Sequence, residues 1–535
     1  MTAEISARAA GRSLAEQANY RNRWLILATL VLTEVIELLD TTIANVALPQ
    51  MAGSLNAGIE EIAWVATGYI LATVIVLPMT SFLARRFGRK RYLLSSVLLF
   101  TAASFLCGVL NSLVGVVVCR ILQGAGAAAL TSTAQATLVE IFPDDEQDKV
   151  QPLFMMGIMA APIFGPMIGG WLTENFSWHW CFLVNVPIGI AAALMLATYL
   201  HDTNAPQVLE PIDWPGIALL AVGLGSLQYV LEEGQSRDWF NDDRVRLLTL
   251  IAVVCLGTLV AWQLSPRNRH PVVDLRVLRN GPLAAGILLF ATIGFGVAGI
   301  SYLYSLLAQE VQGLSPLRTG LALAPCGIAI AASIMACGML LRRTKNILDP
   351  RLIVLFGTAL TALASWQFGH LTAQSGVDEA FWALILRGAA MGFVGMPLYQ
   401  AIIAGLKPGE IQQSMALSNL ADQLGGSFGI AVLASEVAGR FQAHHASLVG
   451  RMTPSNPAFT TRLGDLTHFL MARGYGMDDA RRGALQILDR IVSRQAMTLS
   501  YNDAFLLMLG FVALTAPALF LLPAPKAIPA GEKIR

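Results

Sequence analysis

Fourteen long apolar runs constrain the fold of this 535-residue chain more than any other feature. A helix needs about 20 mostly apolar residues to cross roughly 30 Å of hydrocarbon, and each run has about that length. The runs do not alternate polar and apolar residues, as the strands of a membrane barrel would. We therefore predict an all-α polytopic membrane protein with fourteen transmembrane helices. The predicted spans lie near residues 24–48, 62–83, 92–111, 113–137, 152–173, 180–200, 214–233, 246–264, 283–307, 318–341, 351–371, 380–406, 414–436 and 504–523.

The composition agrees with burial in a membrane. Hydrophobic residues make up 55% of the chain and charged residues 13%, about half the charged share of a typical soluble protein. That share is too small to cover a soluble surface of this size, and a net charge of +1 gives no basic field for nucleic acid. The six cysteines form no CxxC pair, so neither a disulfide framework nor a metal site is expected.

Lysine and arginine are unevenly distributed between the two sides of this topology. With the N-terminus inside, the inner segments hold 22 of these residues and the short outer loops hold 4. Because cytoplasmic loops are enriched in Lys and Arg, we predict cytoplasmic tails at 1–23 and 524–535 and a location in the cell inner (cytoplasmic) membrane. The connection between the seventh and eighth spans is short and charged, so these two are the weakest predictions. Without them, twelve spans would remain.

The chain also contains an internal repeat. The segment Ser81–Arg86 ends the second span, and the similar segment Gly338–Arg343 ends the tenth span 257 residues later. The glycine pair Gly169–Gly170 recurs 256 residues later as Gly425–Gly426. Parallel halves with the substrate site between them are a transporter architecture; the alternative is chance similarity of helix ends. The predicted units are an N-terminal six-helix bundle at 24–200, two inserted helices at 214–264 and a C-terminal six-helix bundle at 283–523.

Three acidic residues lie within the first span. Glu34, Glu37 and Asp40 are spaced i, i+3 and i+6, so neighbours lie on adjoining parts of one helix face. Each charge costs roughly 2.5–3.5 kcal/mol at the centre of a bilayer, so these groups must face a wet cavity, pair with a cation or hold a proton. A static bridge is the alternative for Asp40. Glu34 and Glu37 could instead line the cavity without titrating.

Further polar side chains interrupt the apolar spans. Gln123 lies among glycines on the fourth span, and Asn419 and Asp422 lie on the thirteenth. We predict that these three, with Glu34 and Glu37, line the substrate cavity. Asp422 is equally compatible with a second proton or cation group and with a side chain that faces a neighbouring helix.

The fifth span contains Gly165, Pro166, Gly169 and Gly170. The glycines have no side chains, and the proline has no backbone N–H to donate. Small residues permit close helix contact and proline permits a bend, so we predict a gating role for these four residues. Ordinary tight packing is the alternative.

The loop between the second and third spans is strongly basic. Arg86, Gly88 and Arg89 belong to the segment 85–91, which holds five Lys or Arg residues. We predict a latch that pairs with acidic groups or helix C-termini in one conformation, or else a plain positive-inside anchor.

The long polar segment 437–503 is predicted to be an extracytoplasmic loop with one amphipathic helix near its end. A structureless loop of this length is unusual unless it is functional, so we interpret it as a docking or vestibule element. A solvated linker is the alternative.

Several segments resemble the motifs of one transporter family. They are "LDTTIANVALP" (Leu39–Pro49), "RILQGAGAA" (Arg120–Ala128), "GPMIGG" (Gly165–Gly170), "FLVNVPIG" (Phe182–Gly189), "LEEGQSRDWF" (Leu231–Phe240) and "HPVVDLRVL" (His270–Leu278). Together and in this order, over residues 24–523, they resemble the fourteen-span drug:proton antiporter family 2 of the major facilitator superfamily, EmrB/QacA type. Leu417–Val432 and Arg494–Phe505 look nearest the EmrB subgroup.

The resemblance implies a major facilitator fold and a coupling role for particular residues. It places Arg120 in the proton-coupling motif, near enough to Asp40 for the two to form a coupling pair, with Glu37 and Glu34 as cavity-facing proton or cation sites. It also implies partners, namely a periplasmic adaptor and an outer-membrane channel. No cofactor is implied, because the proton-motive force would supply the energy.

The sequence departs from the family pattern at two places. The loop motif has Ser81 and Arg85 where the family has a glycine and an aspartate, so the acidic partner of the latch is missing. Asp422 stands where the family has an arginine, which replaces a fixed positive charge with a titratable negative one.

From these features we predict a proton-coupled multidrug efflux antiporter that exports amphipathic or hydrophobic small molecules by alternating access. A lipid or fatty-acid exporter of the same fold is the alternative within transport. A receptor or scaffold without transport is the alternative from another class. An enzyme is not predicted, because no nucleophile–base or metal-ligand spacing is present.

Overall fold

The structure, a computed structural model, describes residues 14–202, 211–344, 349–403 and 410–515. Helices are the regular elements of these ranges. The predicted N-terminal tail up to residue 13, the end of the last predicted span from residue 516 and the predicted C-terminal tail lie outside the described residues. The side chains of Arg342 and Arg343, at the end of the repeated segment, also lie outside them.

The first half of the chain begins with a short helix and continues through six predicted spans. The second of these spans is interrupted by a 3₁₀ turn at Leu77–Met79, where Pro78 has no backbone N–H to donate. Gly88 then separates two helices with a φ of 85°, a left-handed conformation that favours glycine. The helices are α1 (Leu14–Arg21), α2 (Arg23–Ser54), α3 (Ile59–Val76), α4 (Thr80–Phe87), α5 (Arg89–Cys107), α6 (Leu113–Ile141), α7 (Asp144–Asn175), α8 (His179–Leu183) and α9 (Asn185–Tyr199).

Two helices follow as a hairpin, α10 (Trp214–Glu233) and α11 (Asp243–Leu264). Asp213 begins this hairpin, because its Oδ1 accepts hydrogen bonds from the Gly216 backbone N–H at 2.9 Å and from Trp262 Nε1 at 2.8 Å. Helix α10 packs against α3 of the first half. Helix α11 packs mainly on α10 and leaves most of its surface exposed, as expected for a peripheral membrane helix.

The second half contains seven further helices. A π-helical segment at Leu307–Val311 follows the first of them. The helices are α12 (Gly281–Leu306), α13 (Pro316–Thr344), α14 (Pro350–Phe368), α15 (Val377–Ile403), α16 (Ile411–Val449), α17 (Pro457–Met471) and α18 (Met477–Thr515). Helix α10 of the hairpin also packs against α16, so the hairpin contacts both halves.

In the described part of the chain, ten helical stretches are long and apolar enough to cross a membrane. They include the predicted seventh and eighth spans, Trp214–Glu233 and Asp243–Leu264. The predicted spans without a counterpart among the ten fall on α2, α7, α16 and α18. These helices have 32 to 39 residues, but they carry more polar residues, such as the three acids of α2, or extend well beyond one membrane thickness.

Each half has its own apolar core, and a pair of helix crossings repeats between them. A Cβ added to Gly124 of α6 would lie 2.2 Å from the backbone oxygen of Tyr69 on α3. A Cβ added to Gly388 of α15 would lie 2.3 Å from the backbone oxygen of Cys326 on α13. Tyr69 and Cys326 are 257 residues apart, which is the spacing of the sequence repeat. Glycine permits both crossings because any side chain would push the helices apart.

The halves meet at the end of the molecule that carries the basic loop. One apolar cluster there combines Ala136 of α6 with Leu398 and Met415 of the second half. Polar contacts also join the halves here, since Gln412 Nε2 donates to the backbone oxygen of Thr80 at 3.4 Å. The two largest apolar clusters, by contrast, each draw on a single half.

The segment 437–503, predicted to be a loop with one helix, is mostly helical. Helix α16 continues to Val449, α17 follows, and α18 begins at Met477 and runs without interruption into the last predicted span. Only residues 450–456 and 472–476 connect these helices. The sequence prediction failed here because polar extensions of apolar helices were taken as the ends of those helices.

Candidate functional site

A buried polar cluster lies inside the first half, where α2, α6 and α9 meet. Asp40 Oδ2 accepts a hydrogen bond from Arg120 Nη1 at 2.5 Å. Asp40 Oδ1 accepts from Gln123 Nε2 at 2.8 Å and from Asn185 Nδ2 at 2.7 Å. Asp40 is 0% and Arg120 1% exposed. We call these four residues the Asp40 cluster, in which one carboxylate is balanced by one guanidinium and two amides away from both lipid and water.

Arg120 makes further contacts that fix its orientation. Its Nε donates to the backbone oxygen of Val65 at 2.9 Å, and its guanidinium carbon lies 4.3 Å from the centroid of the Tyr69 ring. A guanidinium over an aromatic face gains a cation–π interaction, which is strongest when water is excluded. The arginine therefore has partners on α2 and α3 at once, and it ties these helices to α6.

Gln123, predicted to line the substrate cavity, is fully buried in the Asp40 cluster instead. It lies one turn after Arg120, and its Nε2 also donates to Ser104 Oγ at 2.6 Å. Residues three apart share one face of a helix, and this face of α6 points into the first half. The prediction for Gln123 is therefore corrected to a partner of Asp40.

Glu34 and Glu37 lie on α2 but outside the Asp40 cluster. Glu34 is 2% exposed, and its Oε1 has no hydrogen-bond partner among the described residues. Thr131 of α6 lies beside both carboxyl groups, and Tyr399 of α15 lies near Glu34. The acidic face of α2 thus extends from a fully paired carboxylate inside the first half to a carboxyl group that faces the second half.

A cavity of about 200 Å³ lies between the halves and the inserted hairpin. Asp422 lines it, together with Glu232 of α10 and Ile70 of α3. Gln228 Nε2 donates to Glu232 Oε1 at 2.9 Å and to Ser427 Oγ at 2.7 Å. The described lining contains these two acidic groups and no Lys or Arg, so the cavity favours a cationic guest.

Asn419 lies at the interface between the halves and not in the lining of this cavity. Its Nδ2 donates to Gln135 Oε1 of α6 at 3.1 Å. Gln412, about two turns before Asn419 on α16, donates from its Nε2 to Thr133 Oγ1 at 3.3 Å along the same interface. Asn419 therefore forms a contact between α16 and α6 in this conformation, and its role in lining the substrate cavity stays a prediction.

The glycines predicted to act in gating bring α7 close to α2. A Cβ added to Gly165 would lie 1.9 Å from Thr42 Oγ1, and one added to Gly169 would lie 3.2 Å from the Cα of Ile43. Gly170 is also buried, and α7 is one unbroken helix that includes Pro166. Close packing thus accounts for the glycines in this conformation, while a gating role stays a prediction.

The basic loop is held within the first half. The guanidinium of Arg89 pairs with both carboxylate oxygens of Glu140 at the end of α6, with 2.6 Å between Nη2 and Oε1. Gly88 precedes it in the left-handed conformation, and Arg86 lies half-buried at the end of α4. Glu140 therefore provides an acidic partner for the loop in place of the aspartate that the motif lacks at Arg85.

Several site residues were missed from the sequence. Asn185 and Ser104 contribute to the Asp40 cluster, and Glu232 lines the central cavity. Asn185 is the one strongly polar residue within the "FLVNVPIG" segment, and Glu232 ends an otherwise apolar span. Asn185 was visible as an isolated polar residue and Glu232 as one of a pair with Glu233, but no local pattern indicates which side chains they contact.

Comparison with known proteins agrees with this geometry. The model of the Major Facilitator Superfamily matches residues 30–430. The multidrug export protein EmrB of Escherichia coli (strain K12) is 32% identical over 504 residues, covering 92% of this chain and 96% of that protein. The fatty acid resistance protein FarB of Neisseria gonorrhoeae is 31% identical over 484 residues, covering 90% and 92%. A solved structure of the proton:xylose symporter XylE has a TM-score of 0.55 at 13% identity, covering 93% and 96%.

The helical fold and the buried charges define a multi-pass membrane transporter. The chain belongs to the major facilitator superfamily and, within it, to the family of EmrB-type multidrug transporters. This result confirms the predicted family, the all-α major facilitator fold and the class of multidrug efflux transporter.

Proposed function

We propose that this chain exports amphipathic small molecules in exchange for protons. The observation that carries the proposal is the acidic face of α2, where Asp40 is paired with Arg120 at 2.5 Å while Glu34, two turns away, has an unpartnered oxygen. A substrate or a movement of the halves that changes the partners of Asp40 would change its affinity for a proton. Asp40 and Arg120 are the coupling pair, and Glu37 and Glu34 carry protons between this pair and the interface.

The proton-motive force is sufficient for this task. One proton moving inward yields about 2.3 kcal/mol per 100 mV and about 1.4 kcal/mol per unit of pH difference. At about 150 mV and half a pH unit, the sum is about 4 kcal/mol, enough for a roughly thousand-fold substrate gradient. Neither ATP nor a bound cofactor is required.

The cavity between the halves is the proposed substrate site. The apolar walls accept varied bodies, while Glu232 and Asp422 select positive charge. Amphipathic cations are therefore the preferred substrates of this cavity.

The topology belongs to the proposal as well. All fourteen helices cross the cell inner membrane, with both termini in the cytoplasm, as the distribution of Lys and Arg supports. The basic loop and the closed contact between the halves then lie on the cytoplasmic side. The helices of residues 437–503 project outward, where they are available for a periplasmic adaptor that leads to an outer-membrane channel.

Proteoliposomes with an imposed pH gradient test the coupling. We expect Asp40→Asn and Arg120→Ala each to reduce gradient-driven efflux of a cationic dye by about tenfold or more, because each leaves one member of the pair without its counter-charge. Asp478→Asn, which changes an exposed acid at the start of α18, is the matched control. Unchanged efflux in both variants would show that the pair does not couple protons.

A second measurement separates substrate binding from coupling. Glu232→Gln and Asp422→Asn should raise the dye concentration needed for half-maximal efflux without uncoupling the protein from the gradient. If instead these variants leave the concentration dependence of a cationic dye unchanged, the cavity between the halves is not the cation site.

Fatty-acid export is a second candidate function. The relative FarB bears the name of a fatty acid resistance protein and matches most of this chain. The acid-lined central cavity is electrostatically unsuited to a carboxylate, so such a substrate would need a different site.

A further inference from the structure

A second, partly open cavity of about 80 Å³ lies within the second half, between α12, α14, α15 and α18. Its described lining is apolar except for three threonines and Arg387 of α15. The threonine hydroxyls already donate to backbone oxygens of their own helices, as Thr358 does to Val354 at 2.8 Å. Arg387 is therefore the side chain of the described lining that can still donate to a guest.

Arg387 is buried without a counter-charge. It is 6% exposed, and its Nη2 donates to the backbone oxygen of Val297 at 3.0 Å and to Ser301 Oγ at 2.5 Å. Its Nε has no hydrogen-bond partner, and among the described residues no Asp or Glu forms an ion pair with it. A buried cation with a free donor is costly unless an anion pairs with it.

Comparison of the two repeated halves shows that Arg387 lacks the carboxylate partner that Arg120 has. Gly124 makes its crossing on Tyr69, and Gly388 makes a similar crossing on Cys326. The two contacted residues are 257 residues apart, and the two glycines are 264 apart. The residues just before these glycines are Gln123, which binds Asp40, and Arg387. Val297 of α12 lines the cavity, and its backbone oxygen accepts from Arg387. The second half thus keeps a buried guanidinium, but this guanidinium contacts a backbone oxygen and a hydroxyl where Arg120 has the carboxylate of Asp40.

We infer that this cavity binds an amphiphile with a single carboxylate, which pairs with Arg387 while the apolar body lies along α12 and α14. The guest restores the charge balance that Asp40 provides in the first half. Its carboxylate would be excluded from the cavity between the halves by Glu232 and Asp422, so the two cavities select guests of opposite charge. Binding at Arg387 is independent of proton coupling; only the step from binding to export rests on the proposed function.

Equilibrium binding to the full-length protein in nanodiscs tests the site. The probes are tritiated dodecanoate and, as its uncharged counterpart, dodecanol. We expect the protein to prefer dodecanoate by about tenfold, as one charge-assisted hydrogen bond in a buried site provides. Arg387→Gln should abolish this preference, Arg387→Lys should keep part of it, and Arg473→Gln, at an exposed position after α17, should leave it unchanged.

Val297→Asp is the sharper variant, because it keeps the arginine and adds the missing carboxylate. The new side chain should pair with Arg387, so we expect dodecanoate binding to fall about tenfold while the melting temperature is kept or raised. Val297→Asp in an Arg387→Gln background should lower the melting temperature instead. A preference for dodecanoate that survives in both Arg387→Gln and Val297→Asp, or that is absent from the unaltered protein, would overturn the inference.

Two further readouts distinguish the source of the carboxylate. Fatty acids that co-purify with the protein but not with Arg387→Gln would identify a guest from the bilayer. The second readout is gradient-driven efflux of an aromatic carboxylate. If Arg387→Gln loses this efflux but still exports a cationic dye, the carboxylate is an exported substrate. If cationic dye efflux fails in Asp40→Asn but dodecanoate binding persists there, the two proposals are shown to be separate.

Discussion

Asp40 and Arg120 stabilise the first half only as a pair. Each is almost completely buried, and their nearest atoms are 2.5 Å apart. Removal of one partner from such a pair costs about 3–5 kcal/mol because it leaves a buried charge, whereas removal of both is often nearly neutral. We expect Asp40→Asn and Arg120→Gln each to lower the melting temperature in detergent more than the double variant does. A double variant whose loss equals the sum of the single losses would show that the two charges are not coupled.

The members of this cluster differ in how far the sequence could predict them. Resemblance to the family motifs placed Arg120 near Asp40, whereas Gln123, three residues after Arg120, was predicted only to line the substrate cavity. Asn185 is 145 residues from Asp40 in the sequence, and no local pattern indicates that the two side chains meet. Gln123 was assigned to the substrate cavity because polarity in a span shows that a side chain avoids lipid but not whether it faces a cavity or a neighbouring helix.

The crossings of α6 and α15 show how single glycines position whole helices. Gly388→Ala would place a Cβ 2.3 Å from the backbone oxygen of Cys326, so α13 and α15 must separate. We expect a loss of about 1–3 kcal/mol, seen as a lower melting temperature. Gly395→Ala on the same helix is the matched control, because no atom lies within 4 Å of its added Cβ. Equal melting temperatures for the two variants would contradict a close crossing at Gly388.

The inserted hairpin depends on Asp213, which lies just before α10. Burial would raise the pKa of Asp213, but hydrogen bonds from Trp262, Gly216, Asn268 and Gln263 outweigh it and hold the pKa below its ordinary value of 3.8. A carboxylate with a lowered pKa stabilises the fold above its ordinary pKa and loses this effect as the pH falls through the folded value.

The change Asp213→Asn tests this arrangement. The carboxylate accepts hydrogen bonds from several donors, and in the variant the amide NH₂ group would face some of these donors. We therefore expect the free energy of unfolding to fall by about 2–4 kcal/mol. Because the titration lies below pH 3.8, the drop in melting temperature relative to the unaltered protein should be the same at pH 8 and pH 5 and should shrink below pH 4. A drop that already differs between pH 8 and pH 5 would show that another group is responsible.

At the level of helices, apolar runs predicted most elements because the membrane demands a minimum apolar length. The charged connection that weakened the seventh and eighth spans turns out to be a capped turn, in which Asp242 Oδ1 accepts from the backbone N–H groups of Arg244 and Val245. Hydropathy could not predict that α16 and α18 continue for many residues beyond their apolar parts. A helix that leaves the membrane keeps its backbone hydrogen bonds but loses the apolar pattern by which it was recognised.

For the whole molecule, the internal repeat relates two glycine crossings, on Tyr69 and Cys326, that no composition argument could locate. The two halves differ in charge, because Arg120 pairs with Asp40 whereas Arg387 contacts the backbone oxygen of Val297. The repeat therefore predicts helix crossings that the two halves share. Positions at which the halves differ indicate where their chemistry differs.

Alternating access requires the halves to separate where they now touch, and Asn419 marks this contact because its Nδ2 lies 3.1 Å from Gln135 Oε1. With cysteines at both positions, a short, reducible bifunctional thiol reagent should join α6 to α16 in the absence of a gradient. We expect the joined protein to lose about nine-tenths or more of its gradient-driven dye efflux, because a cross-link of a few ångströms prevents rocking of the rigid halves. Reduction should restore efflux, and neither single-cysteine variant should be inhibited, which controls for the native cysteines. Full efflux from the joined protein would mean that α6 and α16 stay together throughout the cycle, and that substrate leaves the central cavity by another opening.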